Sequence, residues 1–189
     1  MTRWHRIAPD LMTVDERNRL YREAGQYRPD AELKDRRGYS VVNGTQLLSP
    51  ARNRFAEAGA HRDDLHTKVL PRRLARLLGH PVRPSVSCYL YYGPDDHLGL
   101  HTDQRVCPLT VLVLLSGDAG PLHTHPELSD VPVQTLLRLS RKHGGHPPGG
   151  NPLSLQDGPL LLQGSRIPHH RLPHRGPGEL SLATFCFGT

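Results

Sequence analysis

Cysteine is scarce in this sequence: Cys88, Cys107 and Cys186 are the three in 189 residues. They are widely separated, odd in number and form no C-x-x-C pair, so we expect neither a disulfide framework nor a structural zinc site. This usage of cysteine is typical of a reducing compartment.

Long apolar runs are also missing. No stretch approaches the 18 apolar residues of a transmembrane helix, and the amino terminus, with Arg3, His5, Arg6 and Asp10, lacks the apolar segment of a signal peptide. Together with the cysteine usage, this predicts a cytoplasmic protein.

The chain has a net charge of +6 and a pI near 9.6, but its arginines are scattered and form no basic tail or stripe. Nucleic-acid binding is therefore not favoured. A positive surplus of this kind suits a small anionic, amino-acid-like or carrier-bound substrate.

Aromatic residues make up only 5% of the chain, whereas there are 18 Gly and 18 Pro, a composition typical of a turn-rich globular protein. The length fits a single domain, residues 1–189. In the first 80 residues we predict mainly supporting helices, over 14–24 after the capping box of Thr13 and Glu16, over 49–58 after Ser49-Pro50, and over 69–78.

From residue 85 the pattern changes to short β-rich runs bounded by Gly or Pro. These predict strands over 86–92, 110–115, 153–155, 160–162, 166–172 and 180–187. A helical insertion over 131–142 interrupts them within a turn-rich region, 116–150. Helices followed by many short strands indicate an α+β fold, with a double-stranded β-helix, or jelly roll, as its core.

His101-Thr102-Asp103 is the most informative motif, because the two-residue period of a strand places His101 and Asp103 on one face. Two imidazoles and one carboxylate on one face of a metal are the ligands of non-haem iron(II) oxygenases. Two other His-x-acid motifs, at 61–63 and 125–127, lie in polar or proline-containing contexts. His101 and Asp103 are therefore the better metal-ligand candidates.

The third ligand should come from a late strand, where His169 and His170 are adjacent and only one can point inward. The alternative for this pair is two solvated histidines in a chain with 13. The residues alone leave the choice between His169 and His170 open.

The segment Tyr91-Tyr92-Gly93, His97 and Leu98 to Asp103 resembles the 2-oxoglutarate/Fe(II)-dependent dioxygenase superfamily, particularly its prolyl-hydroxylase-like and DNA-dealkylase-like branches. The resemblance covers about residues 85–189. In those families the distal ligand is commonly followed four residues later by proline, as His169 is by Pro173, so the resemblance favours His169. It implies Fe(II) and 2-oxoglutarate as cofactors and O2 as co-reactant, with hydroxylation of a small molecule at an unactivated C–H bond.

One position departs from the family. Where the resemblance places the arginine that binds the far carboxylate of 2-oxoglutarate, this chain has Glu179. Carboxylates repel each other, so another cation is needed. Arg171 is the first substitute, because it should share the inward face of His169, and Arg175 and Arg105 are the next.

Three further residues are candidates for binding the cosubstrate. By resemblance, Tyr89 and Tyr91, which share one face of their strand, can bind its carboxylate, and Ser181 keeps the serine of the family's Arg-x-Ser motif. Each could equally be a packing residue.

Two other functions stay open. Glu179 motivates an iron(II) cupin-like dioxygenase that does not use 2-oxoglutarate, and a metal-binding or ligand-binding β-barrel without catalysis is the alternative from another class. His123-Thr124-His125 resembles part of a cupin ligand set, but Glu127 follows too closely. We predict that this segment is a loop at the mouth of the barrel.

Overall fold

A computed structural model describes residues 5–118 and 120–188. The expectation of no apolar leader falls partly on residues 1–4, which lie outside the described residues. The strands are β1 His5–Ile7, β2 Glu32–Arg36, β3 Ser40–Val42, β4 Gln46–Leu48, β5 Ala51–Ala56, β6 Arg83–Tyr92, β7 His97–His101, β8 Leu109–Ser116, β9 Leu122–Thr124, β10 Asn151–Leu153, β11 Leu160–Leu162, β12 His169–Arg171 and β13 Leu180–Gly188. The α-helices are α1 Val14–Tyr27, α2 Ala60–Asp64, α3 Leu70–Leu78 and α4 Val133–Lys142, and a π-helical turn, Leu65–Val69, joins α2 to α3.

Eleven strands of the described chain form one curled antiparallel sheet. Its order is β1-β11-β8-β13-β6-β5-β7-β12-β9-β10, with β2 added on β5, and β3 and β4 form a separate hairpin. Strands distant in sequence are thus neighbours, as in a jelly roll. The double-stranded β-helix core predicted from the sequence is confirmed.

The capping box at the start of α1 is present, with the Thr13 side chain accepting from the backbone N–H of Glu16. The helix runs to Tyr27, three residues beyond the predicted end at 24, because Gly25 adopts helical geometry. The predicted helix 69–78 is the last part of a helical segment that already begins at Ala60.

The predicted helix over 49–58 is wrong, because residues 51–56 form strand β5. Ala51 and Asn53 are buried while Arg52 is exposed, and this alternation of burial with a period of two residues is that of a strand. Strand β5 pairs with β2, β6 and β7. Ser49-Pro50 therefore precedes a strand, and the first 80 residues contribute to the sheet as well as to its helical support.

The curled sheet has two buried faces. Its outer face packs against α1 and α3 through a cluster that includes Leu20, Leu74 and Phe185. Its inner face carries a second cluster, which includes Leu162 and Leu180, and this face also lines the cavity described below. The helices thus close one side of the sheet and leave the other for a site.

Cys107 and Cys186 form a disulfide, with 4.9 Å between their Cα atoms. This overturns the expectation of no disulfide. The sequence spacing could not reveal the pair, because 79 residues separate two cysteines that the loop before β8 and strand β13 bring together. Cys88 is the free cysteine of the described chain.

Within the described residues, none of the helices combines the length and the apolar character needed to span a bilayer.

Candidate metal site and cavity

His101, Asp103 and His169 meet at the inner face of the sheet. His101 ends β7 and pairs directly with His169 at the start of β12. The two imidazole Nε2 atoms lie 3.6 and 3.7 Å from the same carboxylate oxygen, Asp103 Oδ1. One potential ligand atom from each side chain lies within 4.8 Å of the other two, which is the spacing of groups that can hold one ion.

Both imidazoles are oriented by backbone carbonyls. His101 Nδ1 lies 3.0 Å from the carbonyl of Gly99, and His169 Nδ1 lies 2.9 Å from that of Ile167. A carbonyl only accepts, so each Nδ1 carries the proton and donates it, and each Nε2 keeps its lone pair. Both lone pairs therefore point to the space beside Asp103, the tautomer that a metal ligand requires.

Asp103 is held by its neighbours beyond the end of β7. Its backbone N–H donates to the carbonyl of Gly164, and the Thr110 hydroxyl donates to Oδ2 at 2.5 Å. This leaves Oδ1 directed to the two histidines. Thr110 and Gly164 were not identified from the sequence, because their role depends on the packing of β8 and the turn before β12 against residue 103.

Asp103 and His169 are in the protonation states in which these side chains bind a metal ion. Burial by itself raises the pKa of Asp103, but His169, His101 and the Thr110 hydrogen bond outweigh it and lower the pKa to about 2. Burial and the neighbouring His101 lower the pKa of His169 to about 4. At neutral pH the carboxylate is thus ionised and the His169 imidazole neutral, as metal binding requires.

The structure brings His169, not His170, to His101 and Asp103. The His170 ring points to the other side of β12, where it stacks on His123 with an interplanar angle of 7° and lies 3.2 Å from His125. The predicted loop around residues 123–125 is partly wrong, because Leu122–Thr124 is strand β9, paired with β12. This histidine stack packs two strands together outside the metal site.

A cavity of about 700 Å³ opens from His101, Asp103 and His169. Arg171 lies in its wall with His169, as their shared face of β12 predicts, and is only 2% exposed. Its guanidinium carbon is 5.6 Å from the centre of the Tyr92 ring, a cation–π contact. The cavity therefore combines three potential metal ligands with a buried cation.

Tyr89, Tyr91 and Ser181 are not brought to this cavity. The Tyr89 hydroxyl donates to Glu23 at 2.6 Å and the Tyr91 hydroxyl to the carbonyl of Ala24 at 2.7 Å, both on α1. Ser181 pairs with the hydroxyl of Ser116. These side chains lie on the helix-covered face, and the tyrosine in the cavity wall is Tyr92, which follows Tyr91 and faces the other way.

Glu179 also lies away from the cavity wall. Its carboxylate accepts from Arg28, at the end of α1, with an Nε to Oε1 distance of 2.7 Å. The repulsion expected between Glu179 and a bound keto acid therefore does not arise. Of the other cations considered, Arg175 is exposed and pairs with Asp95, and Arg105 is exposed outside the cavity.

No protein-family model matches the sequence, and no curated protein matches it. Solved structures do match over nearly the whole chain. A prolyl-4-hydroxylase from Pseudomonas putida is 14% identical with a TM-score of 0.60, covering 98% of this chain and 92% of that one. AviO1 from Streptomyces viridochromogenes is 19% identical with a TM-score of 0.65, covering 99% and 90%.

HygX from Streptomyces hygroscopicus, solved with nickel and 2-oxoglutarate bound, is 17% identical with a TM-score of 0.63, covering 99% of this chain and 83% of HygX. At identities this low, the matches establish the fold alone, and an activity has to be inferred from the residues of the site. The chain has the double-stranded β-helix fold of the 2-oxoglutarate/Fe(II) oxygenase structures that its sequence resembles.

Proposed function

We propose that this protein is a non-haem Fe(II) and 2-oxoglutarate-dependent dioxygenase that hydroxylates, or otherwise oxidises, a small molecule at an unactivated C–H bond. The proposal depends on one observation, the convergence of His101 Nε2, His169 Nε2 and Asp103 Oδ1 in the wall of a cavity. Two neutral imidazoles and one carboxylate are the donor set that non-haem iron oxygenases use.

The described side chains fit both cofactors. His101, Asp103 and His169 would hold the iron, and both imidazoles already present Nε2. Arg171 would bind the far carboxylate of 2-oxoglutarate, because it is a buried cation in the wall that also carries His169. The iron and keto acid, when bound, supply the O2-dependent oxidation.

The protein would position the bound ligands and exclude water from the cavity. Leu98, Leu112 and Leu182 line the cavity together with the metal ligands and Arg171, so water is displaced when organic ligands fill it. Tyr92 packs on the Arg171 guanidinium and limits its rotamers. Burial removes the Arg171 guanidinium from water, and an oxyanion bound there would offset that loss of hydration through charge-assisted hydrogen bonds.

An anaerobic titration with Fe(II) and 2-oxoglutarate tests the proposal. The unaltered protein should bind iron and, with 2-oxoglutarate, develop the weak visible absorption band of a chelated keto acid. Asp103→Ala and His169→Ala should lose iron binding, whereas His170→Ala, the matched control one residue away, should keep it. Iron uptake by either of the first two variants at the unaltered affinity would refute the ligand assignment.

The cosubstrate is tested separately. Arg171→Gln should keep the iron but weaken 2-oxoglutarate binding by at least about tenfold, since a buried charge-assisted contact is lost. Tight iron with no absorption band in the unaltered protein would indicate the cupin-like dioxygenase instead. Absence of iron binding would indicate a barrel without this catalysis.

A further inference from the structure

The cavity wall that holds the metal ligands also includes residues of β2, which bring a second group of cations to it. Lys34 and Arg36 both line it. Across β2 and β5, Lys34 pairs with Asn53 and Arg36 with Ala51, so the two cations lie on the strand face that also carries the buried Asn53. Both cations belong to a strand that was not predicted from the sequence.

Positively charged side chains outnumber carboxylates in the cavity wall. Among the described residues of this wall, the cations are Lys34, Arg36 and Arg171, and the single carboxylate is Asp103, which faces the two histidines. No described carboxylate forms an ion pair with Lys34 or Arg36, although Asp35 and Arg37, on either side of Arg36, pair with each other. A concave surface with this imbalance attracts anions.

Arg36 is positioned to bind a ligand. Its Nε donates to the carbonyl of Ser49 at 2.6 Å, which fixes the plane of the guanidinium. The side chain is half-buried, and burial lowers its pKa. A guanidinium held by Nε retains two Nη groups, which can bind two oxygens of a carboxylate or phosphate at once.

Much of the rest of the cavity wall is apolar. Val42, Leu48 and Leu90 line it, and Val86 and Val106, at 46% and 60% exposure, are large apolar side chains on the same wall. Exposed apolar residues at the edge of a cavity mark a surface that a ligand covers. An apolar body would therefore be buried here while its charged end is held.

We propose that Arg36, assisted by Lys34, is the substrate-recognition site of this protein, and that the substrate carries a carboxylate or phosphate on an apolar body. This inference rests on the proposed function, because it assigns the metal ligands of the cavity to the reaction and the cations of β2 to substrate binding. Arg171 would then bind the anionic cosubstrate, and Arg36 the anionic substrate.

Hexanoate, hexyl phosphate and hexanol test the proposal as calorimetric probes of the full chain, since they share one alkyl body and differ in charge. Both anions should bind at least about tenfold tighter than hexanol. Arg36→Gln should remove this preference, Arg36→Lys should keep part of it, and Lys34→Gln should reduce it. Arg37→Gln, whose side chain is 89% exposed beside the site, is the matched control and should bind like the unaltered protein.

The relative affinity of the two anions identifies the group that is recognised: hexyl phosphate ahead of hexanoate indicates a phosphate, and the reverse order a carboxylate. Equal binding of hexanol and both anions would overturn the inference. So would an anion preference that survives in the Lys34→Gln/Arg36→Gln double variant with an unchanged melting temperature.

The experiment separates this inference from the proposed function. The titrations are run with and without saturating 2-oxoglutarate, so that hexanoate bound at Arg171 is displaced while hexanoate bound at Arg36 is not. If Arg171→Gln leaves 2-oxoglutarate binding unchanged, the proposed cosubstrate site fails. If only Arg36→Gln is without effect on the probes, the substrate site alone fails.

Discussion

Asp103 and Gly164 are in direct contact: the N–H of Asp103 donates to the Gly164 carbonyl at 2.9 Å, and a Cβ built on Gly164 would lie 1.8 Å from Asp103 Oδ2. Nothing larger than hydrogen fits there without moving the carboxylate. The close approach of Asp103 is therefore the reason that a glycine is required at position 164. Backbone conformation is not the reason, because the φ of Gly164 is not in the left-handed region.

Gly164→Ala should therefore weaken metal binding by about 10- to 100-fold, the range found when a group that supports a metal ligand is altered. The affinity is measured by anaerobic Fe(II) titration. Gly38→Ala, at a glycine with open space around its Cα and no positive φ, is the control and should bind iron normally. An unchanged iron affinity in Gly164→Ala would mean that Asp103 is not held by this contact.

Glu179 gives a second prediction. Because its carboxylate pairs with Arg28 on the helix side, Glu179→Gln should leave 2-oxoglutarate affinity unchanged, although the sequence alone suggested interference. The ion pair is about one-third exposed on both sides, so its loss should lower the free energy of unfolding by less than about 1 kcal/mol. Binding calorimetry and urea unfolding measure the two effects, and a large gain in 2-oxoglutarate affinity would place Glu179 at the cosubstrate after all.

The sequence predicted the parts of the fold with strong local patterns. The run from Thr110 to Leu115 is almost entirely β-branched or apolar and became the centre of β8, and the capping box at Thr13 began α1. The two-residue period placed His169 and Arg171 on one face of β12. Each of these depends on neighbours along the chain, which a sequence displays directly.

The features that could not be predicted from the sequence depend on contacts between residues that are far apart along the chain. Strand β2, Glu-Leu-Lys-Asp-Arg, is almost wholly polar and is a strand because β5 pairs with it. The sequence grouped Tyr89 with Tyr91 correctly but could not show which face of β6 the helix α1 would cover. The tyrosine of β6 that lies in the cavity wall is therefore Tyr92, which packs on Arg171.

Acid should destabilise the protein through its buried histidines. His66 lies among Phe185 and Phe187 and contacts the carbonyl of Cys186 at 2.8 Å, and burial lowers its pKa below the ordinary 6.5. The unfolded chain then binds more protons than the folded chain between pH 6.5 and the lowered pKa. The free energy of unfolding must therefore fall as pH drops below about 6.5.

His66→Gln should reduce this pH dependence. Removing one imidazole lowers the slope by up to about 1.4 kcal/mol per pH unit, the value for one proton, although lost packing also lowers stability at every pH. Urea unfolding from pH 5 to pH 8 gives both quantities. Above pH 7 the two proteins should have parallel curves, and parallel curves down to pH 5 would show that His66 is not neutral in the folded state.

The disulfide gives the last prediction. Cys107 lies four residues after Asp103, its Sγ is 3.3 Å from Thr110 Oγ1, and the same hydroxyl donates to Asp103 Oδ2. The bond to Cys186 closes a loop of 79 residues and ties this segment to β13. Cross-linking a long loop stabilises the folded chain mainly by restricting the unfolded one, so reduction should lower the free energy of unfolding by about 4 kcal/mol.

Guanidinium unfolding with and without dithiothreitol measures that loss. The Cys107→Ser/Cys186→Ser double variant should show the reduced stability in both conditions and no response to the reductant, which separates this bond from other effects of dithiothreitol. Because Thr110 links the disulfide segment to Asp103, the reduced protein should also bind Fe(II) more weakly than the oxidised protein. Equal iron affinity in the two forms would show that β7 and Gly164 hold Asp103 in place without the cross-link.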